Sequence, residues 1–108
     1  MSSDVIHFRK QPAALTREDA EEWIRGAALD SRNVGRTDHA IEQMLNRDIS
    51  MRQVWETIRV GRVVKDPEWD DEHGDWVCKV QKRAAGRSIT VVIALEAINK
   101  MTVVTTYG

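Results

Sequence analysis

Arg36, His39 and Arg47 are the residues of this chain best placed to do chemistry. An imidazole titrates near neutrality, so His39 can serve as general base or general acid. Arginine grips phosphate through paired N–H donors, and free N–H groups at a helix start reinforce that grip. Arg36 and Arg47 therefore suit a phosphate-bearing substrate. Each residue also has a plainer reading. A histidine just behind a capping aspartate is commonly solvated, and an arginine in the turn after a helix can simply cap its carbonyls.

Other constellations are weaker. Asp70-Asp71-Glu72-His73 could hold a divalent cation, but it matches no ligand loop of known geometry, and a solvated acidic hairpin tip explains it better. His7, His39, His73 and Cys78 share no zinc spacing. There is no nucleophile elbow, phosphate-binding glycine loop or dinucleotide fingerprint. The expectation is no metal and no cofactor. Trp23, Trp55 and Trp76 fall on apolar faces and read as packing. Trp69 lies among carboxylates and is expected to be exposed, as a partner-binding tip would be.

The elements that must position His39 lie between Thr37 and Gly61. Thr37 or Asp38 can cap a helix whose apolar face is Ala40, Ile41, Met44 and Leu45. Asn46-Arg47-Asp48 breaks the chain, and Ile49 is expected to pack beneath the junction against Val54. Ser50 and Gln53 form a capping box in pattern, and Met51, Val54, Trp55 and Ile58 follow as a buried stripe. Gly61 stands where a helix end accepts positive φ.

Upstream, Thr16 caps a helix with Glu18, Asp19, Glu21 and Glu22 in its first turns. Its apolar face is Ala20, Trp23, Ile24, Ala27 and Ala28, and it stops near Leu29 and Asp30. Residues 1–15 read as an irregular arm in which Val5, Ile6 and Phe8 could dock as a short strand. Asp30 to Arg36 reads as a polar connector.

Beyond Gly61 the period changes to two. Arg62 to Asp66 is a short strand ended by Pro67, and Pro67 to Gly74 is an acidic loop. Trp76 to Lys82 alternates, with Trp76, Cys78 and Val80 on one face. Gly86 suits a turn, and Ile89 to Leu95 is apolar enough for a central strand covered on both faces. Met101 to Tyr107 is a strand by propensity. The expected architecture is a single α+β domain over residues 1–108, with about three N-terminal helices on one face of a roughly four-stranded antiparallel sheet.

Composition narrows the function classes. The 108 residues are 42% hydrophobic, enough for one core, and the 16 basic and 17 acidic residues leave a net charge of -1. No basic excess advertises a nucleic acid. The lone cysteine, Cys78, excludes an internal disulfide, and no run resembles a membrane span or a leader. A cytoplasmic protein without membrane contact is expected.

T-D-H-A at 37–40, R-D-I-S at 47–50, V-x-x-x-I-x-x-G at 54–61 and V-V-T-T-Y at 103–107 together resemble a bacterial family of domains of unknown function. The likeness covers Arg36 to Tyr107. That family's usual pattern is T-x-H-A-x-x-R-M-x-x-R-x-I-S, and this chain departs from it at Gln43, where the first Arg stands. At fold level the family resembles the barnase, colicin and RelE-type ribonuclease toxins. The resemblance implies a toxin-like ribonuclease acting without metal, with an antitoxin or immunity protein as partner and RNA as substrate. Carried over, the signature residues are His39, Arg47, Ser50 and Thr105 to Tyr107. His39 would be base or acid, Arg36 and Arg47 would hold phosphate, and Tyr107 would stack on a base or orient the phosphate.

Two alternatives stand beside it. The same fold could be a non-catalytic interaction module, with Gln43 marking a decayed site. The helical hairpin also imitates a DNA-reading helix–turn–helix, in which Arg52 and Arg59 would be the exposed cations.

Overall fold

A computed structural model gives the fold, and it describes residues 14–84, 86–97 and 100–108. The docking strand expected at Val5, Ile6 and Phe8 lies outside the described residues. Three side-chain caps start three helices. The Thr16 hydroxyl accepts the Asp19 N–H at 3.0 Å and opens α1 (Arg17–Ala27). Thr37, rather than Asp38, does the same for α2 (Asp38–Asn46), accepting the Ala40 N–H at 3.0 Å. The capping box forms as its pattern predicts: Ser50 accepts from Gln53 N–H at 3.1 Å, Gln53 accepts from Ser50 N–H at 2.8 Å, and α3 (Met51–Val60) follows.

The end of α3 differs from expectation. Gly61 has φ -74° and ψ 177°, ordinary extended backbone open to any residue. Space, not φ, demands glycine there: an added Cβ would collide with the Thr57 carbonyl and come within 2.9 Å of the Gln81 carbonyl and of Val80 Cγ1. The helix end is pressed onto β4 (Asp75–Ala84).

The sheet is mixed and has six strands, which corrects the four-stranded antiparallel expectation. The others are β1 (Val34–Arg36), β2 (Arg62–Val63), β3 (Glu68–Asp70), β5 (Arg87–Ala97) and β6 (Lys100–Tyr107). The order is β1-β6-β5-β4-β2, with β3 also on β4. Strand β1 lies parallel to the last strand, Gly35 opposite Thr102. Val-Gly-Arg has no alternation to betray a strand, and only docking on β6 makes it one. It also separates α1 from α2, so the helices do not simply precede the sheet. Strand β3 replaces the expected loop: Asp70 folds back opposite Asp75 across a turn in which Gly74 takes φ 67°. Strand β2 is shorter than the predicted Arg62–Asp66 stretch.

Between the helices and one sheet face lies the core. Ile89, Val91, Ile93 and Leu95 of β5 meet Trp76, Cys78 and Val80 of β4 and Met101 and Val103 of β6. From the helices come Ala20, Ile24, Ala27, Ala40, Met44, Val54 and Ile58, with Ile49 beneath the α2–α3 junction as predicted. Val92 and Ala94, on the opposite face of β5, are buried too, in keeping with a central strand covered on both faces. Trp23 is half-buried and donates its indole N–H to the Ala97 carbonyl at 2.8 Å.

Two expectations about the core fail. Ile41 and Leu45 are 41% and 78% exposed, because α2 meets β6 only through the narrow Ala40–Met44 stripe. Trp69 is half-buried rather than an exposed tip. Its ring packs edge-on against Trp76 with centroids 5.4 Å apart, and its indole N–H donates to Asp71 at 2.6 Å. No described helix is long and apolar enough to cross a membrane.

Candidate nucleic-acid interface

The turn between α2 and α3 is held from across the molecule. Asp48 takes φ 54°, a conformation that aspartate tolerates better than most residues. Arg87, at the start of β5, donates from Nη1 to the Asp48 carbonyl at 3.1 Å and from Nη2 to the Arg47 carbonyl at 2.9 Å. It thus satisfies carbonyls that a helix end leaves open. Carbonyl capping, one role considered for Arg47, falls to Arg87 instead. The Arg47 side chain points elsewhere, its Nε donating to the Gln43 amide oxygen at 3.2 Å. Gln43 therefore holds the Arg47 guanidinium from one helical turn back.

Tyr107 comes to the same end of the sheet. It pairs with Thr90 in register, and a Cβ at Gly108 would come within 2.6 Å of the Ser88 carbonyl, one residue from Arg87. Arg47 and Arg87 meet at the α2–α3 turn on the helix side of the sheet, whereas Tyr107, the partner of Thr90, shares the opposite face with Val92 and Ala94. Arg87 escaped the sequence reading because its partners are carbonyls forty residues away, which no local pattern announces.

His39 lies apart from that group. It occupies the first turn of α2, eight residues before Arg47, which is about 12 Å along a helix axis. It is exposed, and its side chain makes no hydrogen bond or ion pair with a described residue. Arg36, at the end of β1, is exposed, with Nη1 3.5 Å from Met51 Sδ. Arg52 and Arg59 are exposed on α3, but Glu56 lies between them and pairs with Lys82 at 3.1 Å. Val54, Thr57 and Ile58 press the opposite side of α3 into the core. A helix so seated, with mixed charge outward, is poorly suited to read a DNA groove.

At the other end of the long β4 strand lies the acidic tip. His73 Nδ1 is 2.7 Å from Asp70 Oδ2, and Asp70 Oδ1 accepts the Glu72 and His73 N–H groups at 3.0 and 3.3 Å. The hydrogen bond from His73 holds the Asp70 carboxyl below its ordinary range, and the same bond raises the His73 imidazole above its own. Donor atoms of Asp70, Glu72 and His73 lie within 4.8 Å of one another. Asp70 spends both oxygens on this turn, so its architectural role is clear.

The elements define a class: an α+β domain in which a capped helical hairpin flanks a mixed sheet, basic at one end and acidic at the other. Within that class, the chain belongs to the family described as a domain of unknown function (DUF4258), whose model matches residues 37–108. The match begins at the Thr37 cap and runs from α2 through β6, leaving out α1 and β1. No curated protein and no solved structure matches the chain.

Proposed function

We propose that this protein is a toxin-like, metal-independent ribonuclease of the RelE/barnase type, working within a toxin–antitoxin or effector–immunity pair. The observation that carries the reading is the double donation from Arg87 to the Arg47 and Asp48 carbonyls, which fixes the turn that carries the exposed Arg47. An exposed guanidinium on a turn held in this way suits a phosphate. His39 stands about two helical turns away, so it serves a different nucleotide from Arg47. In this reading the strand lies along α2. The arginine end holds it, and His39, with Arg36 three residues before it, takes or gives the proton at a phosphate further along.

The test is cleavage of total RNA in the presence of EDTA by the wild type, His39→Ala and Arg47→Ala. His39→Ala should slow cleavage by about 10²–10⁴-fold. Arg47→Ala should weaken RNA binding and steepen no other defect. A wild type that leaves RNA intact, or a His39→Ala variant as active as the wild type, sinks the proposal.

One observation favours a second reading, a non-catalytic protein-interaction module. Ile41 and Leu45, one turn apart on α2, face solvent as an apolar pair. A partner protein covering α2 would bury them. Under this reading, wild type and His39→Ala are equally harmless when expressed in cells, whereas a ribonuclease arrests growth only as the wild type.

A further inference from the structure

A cleft of about 290 Å³ opens on the sheet face turned away from the helices. Val77, Ala94 and Thr102 form one cross-strand row along its floor, since Val77 pairs with Ala94 and Ala94 with Thr102. Val104 and Thr37 complete the wall. The next row carries carboxylates only. Asp70 pairs opposite Asp75, and Glu96 follows Leu95, the partner of Trp76, which puts Glu96 beside Asp75 on the far side. Like charges opposite one another destabilise a sheet, so this row costs the fold stability.

Two of the three carboxylates have partners. Asp70 holds His73, and Glu96 accepts the Thr102 hydroxyl and lies 3.8 Å from Lys100 Nζ. Asp75 has none among the described residues. It is 8% exposed, and its Oδ1 accepts no hydrogen bond. A buried acceptor left unmade is costly, and nothing about the fold of the hairpin requires it. Burial first, and the nearby Asp70 charge second, push the Asp75 carboxyl above its ordinary range.

The geometry points to a binding site for an organic cation, an ammonium or guanidinium group on an alkyl stem, with Asp75 as its acceptor and Val77, Ala94 and Val104 under the stem. A cleft of this volume with an apolar floor is far larger than a bare metal ion needs, and Asp75 alone offers an uncommitted carboxylate. An alkyl cation covers the floor, offers a counter-charge to the Asp75 carboxylate that lines the cleft, and relieves the repulsion along the row. The site is independent of the arginine end and of any reaction there.

The experiment is an amide-resolved NMR titration of the full chain with agmatine and with N-acetylargininamide, using N-acetylcitrullinamide as the uncharged isostere. Either cation should shift the amides of Val77, Ala94 and Thr102, and citrulline should bind at least about tenfold more weakly. Stronger binding of agmatine identifies a free small-molecule cation, and stronger binding of the argininamide identifies a protein side chain. Asp75→Asn should lose at least about tenfold in affinity for the cations. Ala94→Leu, which fills the floor, should weaken binding without touching a carboxylate and decides the matter if Asp75→Asn does not fold. Equal binding of citrulline and arginine probes, or undiminished binding by Ala94→Leu, overturns the proposal. So does a site that responds to Mg²⁺ or Mn²⁺ and to neither cation.

Discussion

Replacing Gly61 with alanine sets two effects of opposite sign against each other. Its φ of -74° and ψ of 177° are open to alanine, so the loss of chain entropy in the unfolded state alone would stabilise the variant by about 0.4–1 kcal/mol. Against this, the new methyl collides with the Thr57 carbonyl and comes within 2.9 Å of the Gln81 carbonyl and of Val80 Cγ1. Two of those three atoms are backbone, one in α3 and one in β4, and Arg25 donates to the Gly61 carbonyl at 3.0 Å. The junction therefore has little freedom to open. Overpacking of this kind costs about 1–3 kcal/mol, and rigid neighbours favour the upper end. The expected net effect is a destabilisation of about 2 kcal/mol, or on the order of 10 °C in Tm for a domain this size. Urea unfolding should show a lower midpoint at unchanged m-value, with the thermal midpoint falling in step. A variant as stable as the wild type, or more stable, refutes the steric account of this glycine.

Further outcomes follow from other elements. Ser50→Ala removes the hydroxyl half of the α3 capping box and should cost about 1 kcal/mol in urea unfolding, and Gln53→Ala should cost little more once Ser50 is gone, since the two act together. Burial raises the Glu21 carboxyl, but the Val63 N–H, Arg62 and Arg25 outweigh it and hold it below its ordinary range. Its contribution is therefore present above the pKa of an unfolded glutamate and is lost as pH falls through the lowered folded value. Glu21→Gln should accordingly cost about 1–3 kcal/mol at pH 7 and progressively less below about pH 4, as chemical denaturation across that range would read. Burial pushes the Cys78 thiol up to about 12, so the native protein should resist iodoacetamide at pH 8 and react at once in denaturant. The His73 imidazole is raised and its Asp70 partner lowered, so the acidic tip should be most ordered between those two titrations, loosening as pH rises through the first or falls through the second. NMR titration of the His73 ring, with Asp70→Asn removing the rise, checks that window.

The parts of this protein that one sequence settles are those governed by neighbours in the chain. Caps at Thr16, Thr37 and Ser50 depend on side chains reaching N–H groups three residues on, and each was readable. So were the alternation of Trp76, Cys78 and Val80, the turn at Gly86 with φ 81°, and the doubly covered β5, because period and run length carry that information locally. What only tertiary structure decided depends on groups distant in sequence. Strand β1 exists because β6 offers it an edge, and Gly61 is glycine because β4 crowds it. Ile41 and Leu45 face water because α2 rests on a sheet edge rather than a broad surface. The candidate sites follow the same rule. His39, Arg47 and Tyr107 were visible as residue types, whereas the anchoring of Arg47 by Gln43, the reach of Arg87 across forty residues and the row of carboxylates around Asp75 arise only when strands pair. Spacing along a chain encodes helices and faces, and the convergence of side chains on a ligand is a property of packing.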